Sequence, residues 1–97
     1  MGVLMRVLDL LKEHEQEIKG RYSVSKIGVF GSFARGEEKE SIDVDVLVEF
    51  EEPTYDNFIE LIFFLEELLD RKVDLVTTGG LSPYMKPAVE KEVLWCE

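Results

Sequence analysis

The 97 residues, 45% of them hydrophobic, suffice for one small domain, 1–97, burying about 60–65% of the surface its unfolded chain would expose. Eleven basic against 21 acidic residues give a formal charge of −10, which argues against a nucleic-acid partner and favours a basic protein or a cation-loaded site. The longest apolar run is Leu61–Leu65, far short of a membrane span; no signal-peptide pattern is seen, and the single cysteine, Cys96, rules out an intrachain disulfide and fits a reducing cytoplasm.

The first element expected is an amphipathic helix from Val3 to about Lys19. Val3, Leu4, Val7, Leu8, Leu11 and Ile18 share one face, and Gly20 is read as its stop. His14, the only histidine, falls at the edge of that stripe and reads as a boundary packing residue. Arg21–Ser25 are expected to link to a short apolar strand containing Ile27, Val29 and Phe30. Gly31-Ser32 breaks this strand, and Ser32 is a good N-cap for a short helix through Ala34 and Arg35, ended by Gly36. Glu37–Ser41 make a polar, charged loop.

The cleanest alternation in the chain follows. Ile42, Val44, Val46, Val48 and Phe50 fall on one face of a strand, and Asp43, Asp45, Leu47 and Glu49 on the other. After a turn at Pro53-Thr54, Asp56–Asp70 reads as a helix with Phe58, Leu61, Ile62, Leu65, Leu68 and Leu69 in its core stripe. Ile59 and Phe63 project to its opposite side, near Asp56, Glu66 and Asp70, and read either as scattered surface apolars or as a partner surface. Lys72–Val76 is a third strand and Thr77–Gly80 a loop. Ser82-Pro83 can open a helical turn, Pro87 starts a helix ending near Lys91, and Val93–Trp95 can form an edge strand. The fold class is α/β, a small sheet with its apolar face covered by helices.

Asp43 and Asp45, at i and i+2 of one strand, project the same way about 6.5–7 Å apart. Ionised neighbours repel, and a divalent cation is their natural partner. Gly31 lets a phosphate approach the backbone, the helix start offers unpaired N–H groups, and Ser32 adds a hydroxyl. Asp74, on the third strand, is a third carboxylate, and an Asp there needs a cation or water. Each feature alone is ordinary: Gly-Ser is most often only a turn, and Asp on an alternating strand is most often a solvated face. Together they fit a two-metal phosphoryl-transfer site.

The run GSFARG, with DVD beginning twelve residues after Gly31, resembles the G-S…D-x-D signature of the DNA polymerase β-like nucleotidyltransferase superfamily, and more narrowly its minimal nucleotidyltransferases. VDLVT at Val73–Thr77 and LSPYMKP at Leu81–Pro87 extend the likeness over nearly the whole chain. One departure is that Ile42 stands where the group has Ser before the first Asp, with Ser41 one position earlier. The resemblance implies a mixed strand order and a nucleotidyltransferase fold. It implies ATP as substrate and two Mg²⁺ ions on Asp43, Asp45 and Asp74, with Gly31 and Ser32 gripping the triphosphate. Arg35 could neutralise phosphate, or be only a surface helix residue. Many minimal nucleotidyltransferases are antitoxins that transfer AMP to a tyrosine of a HEPN-domain RNase toxin. With nothing left over to bind an acceptor, a protein acceptor is expected, and a second copy of the chain is another possible partner. A non-catalytic antitoxin acting by occlusion, and transfer to a small molecule or RNA, are the rival readings.

Overall fold

The structure, a computed structural model, describes residues 2–36 and 43–96. The chain runs α1 (Val3–Glu13), α2 (Glu15–Tyr22), β1 (Val24–Phe30), α3 (Gly31–Ala34), β2 (Val44–Phe50), α4 (Tyr55–Leu69), β3 (Val73–Thr77), α5 (Lys86–Glu92) and β4 (Leu94–Trp95). A single 3₁₀ turn, Thr78–Gly80, follows β3. The expected loop Glu37–Ser41, and Ile42 with the departure it carries, lie outside the described residues.

The sheet order is β3-β2-β1-β4. β1 pairs antiparallel with both β2 and β4, while β2 and β3 run parallel, so the sheet is mixed, as expected. A register shift between Val24 and Lys26 lets Val24, Ile27 and Val29 all bury their side chains. Gly28 is required by close strand packing. A Cβ there would lie 2.7 Å from the Leu94 carbonyl oxygen and 3.0 Å from Trp95 Cα, so only glycine admits β4 at this distance.

The sheet has two unlike faces. On the first, Ile27 and Val29 of β1, Val44, Val46 and Val48 of β2, and Val73 and Leu75 of β3 meet Val7 and Leu11 of α1, Ile18 and Tyr22 of α2, and Leu61, Leu65 and Leu69 of α4. This is the main core. On the second face, a smaller cluster joins Phe30, Leu47 and Val89, with Val76, Leu81, Val93 and Trp95 around it. Leu47 stands among acidic neighbours in the sequence, yet α5 buries it almost completely.

The first helix departs from expectation. It breaks at His14, which ends α1 and precedes α2. His14 Nδ1 lies 3.0 Å from the Leu10 carbonyl oxygen, and its ring meets Phe64 edge-on with centroids 6.1 Å apart, so it packs at the boundary as expected. Gly20 does not stop the helix. Ile18 and Tyr22, one turn apart, are both buried, and that stripe carries the helix to Ser23, which closes it in the left-handed region at φ 56°. Thr54 caps α4, its hydroxyl accepting from Asn57 N–H at 3.1 Å.

Phe63 is 65% exposed, and α5, which packs on the opposite side of the sheet, does not cover it. The rim differs from the expected one. Phe63 shares a surface depression with Arg21, Tyr22, Glu60, Phe64 and Glu67, whereas Glu66 turns inward to accept from Val73 N–H at 3.1 Å. Cys96 is buried against the main core and lies 3.6 Å from Glu15 Oε2; burial first, and then that carboxylate, pushes its thiol up to about 11. It is a packing residue, inert as a nucleophile.

Candidate active site

The acidic cluster grows from strand register. In the parallel β2–β3 pair, Val44 stands beside Val73, Asp45 beside Asp74, and Val46 beside Leu75. Because the valines and Leu75 point into the main core, the period of two sends Asp45 and Asp74 to the second face, abreast on neighbouring strands. Asp43 lies one residue before β2, exposed, and its charge reaches Asp45. On the other flank, Asp45 is the Cα partner of Phe30, the last residue of β1, so the chain reverses into α3 directly beside it.

Asp45 is half-buried, and its carboxyl is held above the usual carboxylate range. Burial is the largest cause, followed by the charges of Asp74 and Asp43; Arg35 opposes them, and Glu92 adds a smaller push upward. Among the described residues, the negative charges that act on Asp45 outnumber the one positive charge, that of Arg35. Carboxylate oxygens are the hard donors that suit Mg²⁺, and a cation would relieve this repulsion. The donor chemistry fits such an ion, although among the described residues no three acidic side chains are already gathered into a metal cage.

Gly31 adopts φ +70°, where a side chain is strained, and a Cβ on it would press into Asp45 Oδ2 and lie 3.1 Å from Asp45 Cγ. The glycine is thus needed by the carboxylate as much as by any phosphate. Ser32 is not the N-cap; Phe30 holds that position in extended conformation, and Ser32 sits inside the turn. The reason is that Gly31, free to take positive φ, already turns the chain. With four residues, α3 has only a weak dipole, so an anion held at this turn would rest on individual N–H and guanidinium donors.

A further residue joins the site without any local sequence signal for it. Glu92, the last residue of α5, reaches the turn from 61 positions away. Its Oε1 accepts from Gly31 N–H at 3.0 Å, and its Oε2 from the Arg35 guanidinium at 2.9 Å. The same guanidinium donates to Ser32 Oγ at 3.2 Å. Gly31, Ser32, Arg35, Asp43, Asp45 and Asp74 are therefore all assembled at one end of the sheet's second face, with Glu92 among them. Arg35 is part of this network and not an isolated surface residue.

The chain is similar to several known proteins. A family model described as a nucleotidyltransferase domain matches residues 11–96. The protein adenylyltransferase MntA of Thermococcus cleftensis is 45% identical over 96 residues, covering 98% of this chain and 97% of its own. Among solved structures, one named "Structure of putative minimal nucleotidyltransferase" superposes with a TM-score of 0.80 at 36% identity, covering 97% of this chain and 95% of that one. A chain from a tri-AMPylated Shewanella oneidensis HEPN toxin in complex with MNT antitoxin matches at TM-score 0.65 over 93% of this chain and 71% of that one; at 20% identity this is a likeness of fold alone. The chain belongs to the nucleotidyltransferase-domain family and is an enzyme of its minimal, MntA-like branch.

Proposed function

We propose that the protein, working as one domain in the cytoplasm, transfers AMP from ATP to a hydroxyl of a partner protein with Mg²⁺, and that the partner is a HEPN-type RNase toxin. The observation that carries the reading is the Asp45–Asp74 pair, held abreast beside a turn whose donors already hold an anionic group. The adenylyl choice is supported by the relative named protein adenylyltransferase. The toxin is supported by the solved neighbours, one described as a toxin-antitoxin with AMP-PNP and another as an AMPylated HEPN toxin with MNT antitoxin.

In this reading the acceptor oxygen attacks the α-phosphorus of ATP, the bond to the β-phosphate breaks, and pyrophosphate leaves. Gly31 N–H, Ser32 Oγ and Arg35 hold the triphosphate oxygens through charge-assisted hydrogen bonds. Asp43, Asp45 and Asp74 would hold two Mg²⁺ ions, whose chemistry would be to offset charge on the leaving pyrophosphate and to acidify the acceptor hydroxyl. Asp74, exposed beside Asp45, stands where the acceptor can approach and can take the hydroxyl's proton. No helix among the described residues is long and apolar enough to cross a membrane, and the net charge of −10 disfavours RNA as acceptor.

The test is mass spectrometry of a co-expressed or genomically adjacent HEPN-type partner after incubation with this protein, ATP and Mg²⁺. A gain of one or more AMP units on the partner is expected, and none with Asp45→Asn. A stable complex that silences the partner with no mass gain would replace catalysis by occlusion.

A further inference from the structure

We infer that Glu92 is a built-in gate on the nucleotide site, its carboxylate seated on the Gly31 N–H and the Arg35 guanidinium in the free protein and displaced when ATP binds. The inference rests on the nucleotide-site reading above and adds its regulation. The donors for the triphosphate are Gly31 N–H, Arg35 and Ser32 Oγ. Glu92 takes the first two with one oxygen each, at 3.0 and 2.9 Å, and Arg35 spans to the third at 3.2 Å. A carboxylate offers two oxygens on one carbon, so it can bridge two donors as two phosphate oxygens do. It cannot share them with a phosphate, because like charges at that separation repel strongly in a partly buried site.

The seat is placed by the fold. Leu94 and Trp95 pair with Val29 and Gly28, which brings the end of α5 against the end of β1 and aims Glu92 at Gly31. Its side chain is 28% exposed, so it can swing to water without leaving a buried charge unpaired. The consequence is a penalty on ATP binding set by the seated fraction. If the seated form outnumbers the open form about ten to one, apparent ATP affinity is about ten-fold below its intrinsic value.

Calorimetric titration of the parent, Glu92→Ala and Glu92→Gln with ATP and Mg²⁺, combined with the Gly31 amide resonance by NMR, tests the gate. Glu92→Ala should tighten ATP binding about ten-fold. Glu92→Gln, which keeps the helix and the bulk but not the charge, should fall between it and the parent. Glu90→Gln, an exposed carboxylate on the same helix, should leave the affinity unchanged and so separates gating from a general change in charge. The Gly31 resonance should move on Glu92 substitution and again when ATP is added to the parent. If both Glu92 variants bind ATP no more tightly than the parent or Glu90→Gln, the gate is wrong and the nucleotide site stands. If saturating ATP leaves the Gly31 resonance unmoved in parent and variants alike, the nucleotide lies elsewhere, and the gate falls with the reading beneath it.

Discussion

The two faces of β2 are made from the same seven residues and do opposite things. Val44, Val46 and Val48 point into the main core and are fully buried. Asp45 points the other way into a half-buried acidic site, and Leu47, two residues on, returns to apolar packing under α5. The first face is continuous and covered from end to end by α1, α2 and α4. The second is divided: α5 covers its apolar part and leaves the Asp45–Asp74 end open to whatever the acid groups bind. In the proposed reading, stability and chemistry are drawn from alternate positions of one strand, and the rigid core face fixes where the carboxylates stand. Removing groups from the two faces should have opposite signs.

Asp45→Asn is the sharpest test of that contrast. Loss of a carboxylate that would hold a metal should lower transfer at least about 1,000-fold, measured as AMP incorporated into the partner. The fold should gain instead. The Asp45 carboxyl is raised above its ordinary range by burial, Asp74 and Asp43. Its proton is therefore held more tightly in the folded than in the unfolded chain. This group favours folding below the ordinary carboxylate range, and that contribution is lost as pH rises through the raised folded value. At neutral pH the ionised Asp45 is a cost, so Asp45→Asn should melt higher without metal, by the equivalent of about 1 kcal/mol or less for so open a site. The difference should vanish below about pH 4, where the parent is protonated too. The core face gives the mirror image. Leu65→Ala, at a fully buried position, should cost about 2–5 kcal/mol in thermal or urea unfolding, with the folded fraction still transferring AMP. A lower melting point for Asp45→Asn at neutral pH would break the contrast.

Where the boundary between the faces is tight, a single methyl should disturb both. Gly31→Ala places a Cβ against Asp45 Oδ2 at a residue with φ +70°. The backbone strain alone is worth about 1–2 kcal/mol, and the Asp45 carboxylate must also shift. Melting temperature and transfer rate should therefore fall together, unlike in either variant above. A Gly31→Ala protein of parental stability that still loses nucleotide affinity would show that the glycine serves the phosphate alone.

What the sequence revealed follows the same division. The alternation from Ile42 to Phe50 picks out Asp43 and Asp45, although β2 itself begins only at Val44, and the apolar run around Asp74 puts it on a strand; register then sets Asp45 and Asp74 side by side. Local period was enough because strand faces are decided by local period. Ser32 suits an N-cap by residue type, but positive φ at Gly31 makes the turn instead and leaves Phe30 in the cap position. The break at His14 and the run past Gly20 turn on the burial of Ile18 and Tyr22, a matter of tertiary packing overriding local stop signals. Glu92 was invisible for a stronger reason. It reaches Gly31 only because β4 pairs with β1, a contact between segments about sixty residues apart, and a Glu near a helix end carries no local mark of that role. The available clue was the terminal strand Val93–Trp95: once it is paired with the Gly28-containing strand, the residue before it must lie near Gly31.

A third surface sits outside both faces, and its expected effect on the fold is the smallest. Phe63 projects from α4 at 65% exposure beside Glu60, Glu67 and Arg21, with Tyr22 and Phe64 at its base. It belongs neither to the main core, which α4 serves through Leu61, Leu65 and Leu69, nor to the cluster under α5. Phe63→Glu should therefore change folding stability by no more than about 0.5 kcal/mol, the range of an exposed substitution. If the aromatic anchors a partner protein or a second copy of the chain, the same change should weaken that association by about 2 kcal/mol, roughly thirty-fold in the dissociation constant. Thermal melting and light scattering of one preparation read both quantities. A variant that melts well below the parent would show Phe63 to be structural, whereas unchanged melting with unchanged association would leave the face as ordinary solvated surface. Only parental melting with weakened complex formation makes it an interface, which would place partner docking on the far side of the core from the acidic site. AMP transfer to a partner held there would then require the partner to span the edge of the sheet, so Phe63→Glu should lower transfer only at partner concentrations near or below the dissociation constant.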